Sequence, residues 1–117
     1  MTLYGIPNCD TVKKARAWFA AHDIDMPFHD LRRDGLDAPR LTGWLDALGA
    51  DALVNRRGTT WRRLSAEQQA ACDDPATLTE LLLAQPALIR RPVVEIGNRT
   101  TVGFVPDTWQ VLLGSTQ

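Results

Sequence analysis

The side chains of this 117-residue chain best suited to chemistry are two cysteines, two histidines and a set of clustered arginines. Cys9 lies in Gly5-Ile-Pro-Asn-Cys-Asp-Thr-Val-Lys-Lys-Ala15, between a short apolar run and an amphipathic one. The first N–H groups of a helix lack intrahelical partners, and with the macrodipole they favour a negative charge beside them. A thiol placed there is favoured as its thiolate, the form that attacks a disulfide sulfur. Lys13, one turn further on, adds a cation, while the adjacent Asp10 opposes the charge. The plain alternative is a small buried hydrophobe without chemistry, the commonest state of a free cysteine. Residue type alone leaves both readings open.

Other groups are judged the same way. Asn55-Arg-Arg-Gly-Thr-Thr-Trp-Arg-Arg63 gathers four arginines and two hydroxyls around a glycine. It suits an anion, or is simply a solvated basic loop between helical segments. Arg90-Arg91-Pro92 precedes an apolar run; an X-Pro bond is trans by base rate and cis in a few per cent of cases. Cys72 reads as packing, with resolution of Cys9 as the lesser alternative. His22 and His29 read as structural or exposed, since neither belongs to a triad or metal pattern. Trp18, Trp44 and Trp109 read as core, and Trp61, inside the basic stretch, is the tryptophan open to a functional role.

The elements that must position these groups follow from periodicity. Leu3 onward is a short strand, and Asp10 to His22 is an amphipathic helix with Val12, Ala15, Phe19 and His22 on one face. Pro27-Phe-His-Asp30 is a second strand, so residues 2–30 form a right-handed β-α-β unit with parallel strands. Asp37 caps a helix carrying Leu41, Trp44, Leu45 and Leu48 that Gly49 stops, and Ser65-x-x-Gln68 and Thr77-x-x-Glu80 each open a further helix as capping boxes. Residues 37–85 are therefore mostly helical. Val93–Ile96, a Gly97-Asn98 turn and Thr100–Phe104 form an antiparallel hairpin, and Pro106 starts a last helix with Trp109, Leu112 and Leu113. The order β-α-β, helices, β-β-α is that of an α/β thioredoxin/glutaredoxin-like domain with an all-helical insertion.

Composition bounds the partners. The chain is 44% hydrophobic and 23% charged, with thirteen basic against fourteen acidic residues and a pI near 6.1. That balance gives no general attraction to nucleic acid or to an anionic membrane. The start of the chain lacks the pattern of a signal peptide, and Pro86 interrupts the most apolar segment well short of a membrane span. A cytoplasmic, reducing location is expected, with both cysteines as thiols and no metal site from their spacing.

Gly5-Ile-Pro-Asn-Cys-Asp-Thr-Val-Lys-Lys-Ala15, Arg57-Gly-Thr-Thr-Trp61, Arg90-Arg-Pro92 and Val102-Gly-Phe104 together resemble the ArsC/Spx family, most closely its YffB branch of small reductase-like proteins. The resemblance runs over nearly the whole chain as a single domain. It implies a thioredoxin-like core of about residues 1–36 and 87–117, with a helical insertion of about 37–86. It implies Cys9 as the reactive cysteine, Pro92 as the cis proline facing it, and Arg91 as the arginine beside it. The family's arsenate reductases hold the oxyanion with three arginines, but here Asn55 stands at the first position and Gly103-Phe104 at the third. Arsenate is therefore disfavoured. The redox-switched Spx regulators use Cys-x-x-Cys, whereas Val12 fills the second position here.

With no internal resolving thiol at Val12, the expectation is a monothiol-disulfide reductase. Glutathione would be the reducing co-substrate, with no tightly bound cofactor. Cys9 and Arg91 would be catalytic; Asn8, Lys13, Arg57 and Pro92 would form the substrate site of a monomer. The alternative is an Spx-like regulator that binds RNA polymerase without turning over a substrate.

Overall fold

The computed structural model describes residues 1–115 and divides the chain into two compact units, one of Met1–Gly35 with the chain from Arg91 onward, the other of Leu36–Arg90. In the first unit, strands β1 (Thr2–Gly5), β2 (Phe28–Asp30), β3 (Val93–Ile96) and β4 (Arg99–Val102) form one sheet in the order β2-β1-β3-β4. β2 runs parallel to β1, with Gly5 opposite Asp30, and β3 runs antiparallel to β1, with Tyr4 opposite Val93. The helix α1 (Asp10–Ala21) makes the crossover between β1 and β2. The fold is thioredoxin-like and mixed α/β, as the periodicity predicts.

The first unit's core is built by the apolar stripe of α1 against alternate sheet residues. Val12, Ala15 and Phe19 pack with Leu3, Val94, Ile96 and Trp109, all nearly or fully excluded from water. Burial of this kind contributes about 25 cal/mol per Å² of apolar surface. Trp109 reaches the core from the last helix of the chain (Pro106–Ser115), and its indole N–H donates to Thr101 Oγ1 at 2.8 Å. The aromatic body is thus buried without an orphaned donor. One expectation is corrected here. Trp18 is only half-buried, packed against the rim of this core. The helix ends at Ala21, one residue short of the expected end, and His22 is its exposed C-cap, in keeping with the reading of this histidine as structural or exposed.

The hairpin turns at Gly97-Asn98 as expected, since Ile96 pairs with Arg99 and Gly97 has φ 60°. Its second strand is shorter than predicted. Gly103, at φ 84°, takes the chain out of strand geometry, so Phe104 lies beyond β4.

The second unit is helical, with α2 (Ala38–Leu48), α3 (Ala50–Leu53), α4 (Thr59–Arg62), α5 (Ala66–Ala71) and α6 (Pro75–Ala84), then a 3₁₀ turn at Pro86–Leu88. Asp37 caps α2 by accepting from the Arg40 N–H, and the Ser65/Gln68 capping box is complete in both directions. The predicted box at Thr77-x-x-Glu80 does not form. Asp74 caps that helix instead, with Pro75 as its first residue, and accepts from both the N–H (3.2 Å) and the hydroxyl (2.7 Å) of Thr77. Proline prefers the first helical position, so Pro75 moves the start three residues earlier. The basic stretch 55–63 is likewise not all loop, because Thr59–Arg62 makes a helical turn.

Candidate functional site

Cys9 is the N-cap of α1, in extended geometry (φ −117°, ψ 122°), with no side-chain hydrogen bond capping the helix. Its carbonyl accepts the first intrahelical bond, from the Lys13 N–H at 2.9 Å. The thiol is half-buried at the edge of the core. A Cβ on Gly5 would stand 2.7 Å from Val12 Cγ2, so only glycine lets the end of β1 approach the first turn of α1 this closely.

The sheet gathers four segments around this thiol's end. Because β2 is parallel to β1 and β3 antiparallel, the residues after Gly5, those after Asp30 and those before Val93 leave the sheet at the same end. The Leu31 N–H donates to the Gly5 carbonyl, and the Gly103 N–H donates to the Pro92 carbonyl, each at 2.9 Å. Asn8-Cys9, Leu31-Arg32, Arg91-Pro92 and Gly103-Phe104 therefore share one end of the sheet. The Arg91-Pro92 bond is cis. Arg91 is half-buried there, Pro92 is buried, and Asn8 and Lys13 are exposed. Lys14 Nζ lies 4.6 Å from the centroid of the Phe104 ring, which ties the first turns of α1 to the segment after β4.

Arg57 belongs to the helical unit. It is exposed, its backbone N–H donates to Asn55 Oδ1 at 3.2 Å, and Gly58 follows where a Cβ would meet the Asn55 amide at 2.8 Å. Arg56 pairs with Asp51 at 2.8 Å and its guanidinium lies 5.5 Å from the Trp61 ring centroid. Cys72, in the same unit, is 5% exposed and donates to the Gln68 carbonyl at 3.4 Å. Burial pushes its thiol pKa up, with Asp73 adding to the rise and Arg56 opposing it. This is the packing role expected for Cys72. Among the described residues no cluster of His, Cys, Asp and Glu could hold a metal ion, and no helix is long and apolar enough to cross a membrane.

Asp30 and Asp34 are site-end residues that the sequence reading missed. Asp30 is buried; its Oδ1 accepts from the N–H groups of Arg32 (2.9 Å) and Arg33 (3.2 Å), while its own N–H donates to Asp34 Oδ2 at 3.0 Å. Asp34 in turn holds Arg33, Nε to Oδ1 at 3.0 Å, and this hydrogen bond is the main reason its carboxyl lies below the usual range. An aspartate at the last position of a strand, with a second one four positions on, is the pattern of such a side-chain-closed turn.

Comparison with known proteins accords with this geometry. The ArsC family model matches residues 4–112. A solved YFFB protein is 46% identical, with a TM-score of 0.90 over 96% of this chain and 97% of that one. An arsenate reductase (ArsC) related protein from Brucella melitensis is 44% identical, with a TM-score of 0.74 over 94% and 91%. The global transcriptional regulator Spx of Streptococcus pyogenes is 27% identical over 97% of this chain and 84% of its own length. With a family model spanning nearly the whole chain, the chain belongs to the ArsC family.

Proposed function

We propose that this chain is a thiol-disulfide reductase that works with Cys9 alone and is reset by glutathione. The observation that carries the reading is Cys9 at the N-cap of α1, half-exposed and with no side-chain capping bond, while the position three residues on is the fully buried Val12. The Cys9 thiolate attacks one sulfur of a substrate disulfide. One S–S bond breaks, a Cys9 mixed disulfide forms, and the other substrate sulfur leaves as a thiolate that takes up a proton. A glutathione thiolate then attacks the Cys9 sulfur of the mixed disulfide, so that the second substrate sulfur leaves as a thiolate and Cys9 is left disulfide-bonded to glutathione. A second glutathione thiolate attacks the glutathione sulfur, frees the Cys9 thiolate and leaves as oxidised glutathione, the two glutathiones having given up the two electrons the substrate received. Cys72 is buried and engaged with Gln68, which suits packing rather than resolution. Arg91, on the same sheet end, is the residue assigned to stabilising the thiolate, with Lys13, Asn8 and Pro92 as the candidate substrate contacts of this unit.

Oxidised glutathione is expected to leave one glutathione on the native chain, at Cys9, and none on Cys9→Ser, as read by intact mass. Modification of Cys9→Ser to the same extent, or no adduct on either chain, would sink the proposal. Likeness to the regulator Spx favours a second reading, in which the chain binds RNA polymerase. Capture of purified polymerase with equal yield by the native chain and by Cys9→Ser is the result that reading requires.

A further inference from the structure

A cavity of about 680 Å³ opens in the first unit at the end of the sheet remote from Cys9, between Met1, the last turn of α1 and the C-terminal helix. It lies one helix length from the thiol, since Cys9 caps the start of α1 and His22 its end. Its volume falls within the range of small-molecule sites. One wall is aromatic: Trp18 and His22 stack at 4.0 Å between centroids with 28° between planes. His22 Nδ1–H donates to the Trp18 carbonyl at 2.8 Å, and Trp18 is braced from behind by Phe19 and Trp109. Ile24 and Leu113 add aliphatic surface, and Asp23 and Asp25 place two carboxylates on the rim.

Asp23 is the informative residue. The Asp23 N–H donates to the Ala20 carbonyl and the Ile24 N–H to the Phe19 carbonyl, at 3.1 and 3.0 Å, with Asp23 at φ 56°. This is a Schellman close to α1, and its left-handed position is normally glycine. A helix C-terminus also disfavours an anion. Asp23 goes against both preferences where glycine or asparagine would close the helix without a charge, and residues that break local rules mark functional positions. The two carboxylates and the negative end of α1 act together to favour a cation in this cavity.

We propose that the cavity is a second binding site, independent of Cys9, for a small organic cation with a flat apolar body, such as an aromatic amine. The ring stacks on the Trp18–His22 wall and the ammonium faces Asp23 and Asp25.

The test is titration of the native chain with 2-phenylethylamine and, separately, its uncharged analogue 2-phenylethanol, followed by ¹H–¹⁵N NMR. The amine should move the Trp18 indole and the backbone signals of residues 22–25, with a dissociation constant on the order of 1 mM for so small a ligand. The alcohol should bind at least about fivefold more weakly. Asp25→Asn should weaken the amine about fivefold without moving Tm, and Asp23→Gly should weaken it comparably while raising Tm by roughly 2–5 °C. Equal binding of amine and alcohol, unaltered affinity in both variants, or shifts centred on residues 9–13 would each overturn the proposal.

Discussion

Val12 ties the chemistry of Cys9 to the packing beneath it. It occupies the place of a second cysteine, and it presses on Gly5 so closely that no side chain fits there. Gly5→Ala is expected to cost about 1–3 kcal/mol through overpacking against a stiff β-branched neighbour, read as a lower denaturation midpoint at unchanged m-value. Val12→Cys tests the redox logic separately. Positions three apart on a helix are neighbours, so in this variant Cys9 should form an internal disulfide with the introduced thiol and, treated with oxidised glutathione, the chain should lose two hydrogens rather than retain the adduct. A persistent adduct on that variant would contradict Val12 as the reason for an external resolving thiol. At this scale much of the site was legible. A cysteine between an apolar run and an amphipathic one reads as a helix start, and the family motif pointed to the cis bond found at Arg91-Pro92. Gly5 was not legible, because its requirement is a distance between two elements that exists only once they pack.

At the level of elements, two similar sequence patterns had different fates. Ser65-x-x-Gln68 forms its reciprocal box, and Thr77-x-x-Glu80 does not, because Asp74-Pro75 offers a better start just upstream. Local pattern decides a helix start only where no stronger cap competes within a turn. Ser65→Ala should therefore destabilise the chain by about 1 kcal/mol, whereas changes at Glu80 leave the start of its helix in place. The join between β4 and the last helix is equally specific. Thr101 is nearly buried and accepts from the Trp109 indole at 2.8 Å, so Thr101→Val should cost about 1–3 kcal/mol by stranding that donor, although valine matches threonine in shape. Thermal unfolding of Thr101→Ser, which keeps the hydroxyl, separates the lost hydrogen bond from lost packing. The turn after β2 went unread for a related reason. Asp30 and Asp34 look like two of many surface acids, and their value lies in backbone groups that only the sheet's end brings to them.

For the molecule as a whole, charge enters through pH rather than through net balance. Asp34 and Asp74 are held below the ordinary carboxylate range, the first by Arg33 and the second by Thr77. A lowered folded-state value contributes stability that is present above the unfolded carboxylate range and lost as pH falls through the folded value, so both act only on the acid side. Both carboxylates are solvent-exposed, and their effect is small. Cys72 acts on the alkaline side. Its folded thiol titrates above its unfolded counterpart because burial penalises the thiolate, so the unfolded chain releases that proton first. The stability it contributes is full below the unfolded cysteine range near 8.5 and declines as pH rises from there toward the folded value. Thermal midpoints of the native chain and of Cys72→Ala should accordingly run parallel between about pH 6 and 8, offset by the cost of the lost side chain. Above about pH 8.5 the native chain should lose stability faster and the two curves converge. Cys9 is present in both proteins and drops out of the difference. Curves that stay parallel to about pH 10 would mean that the Cys72 thiol is as free to ionise in the folded chain as in the unfolded one, and that its burial carries no proton linkage.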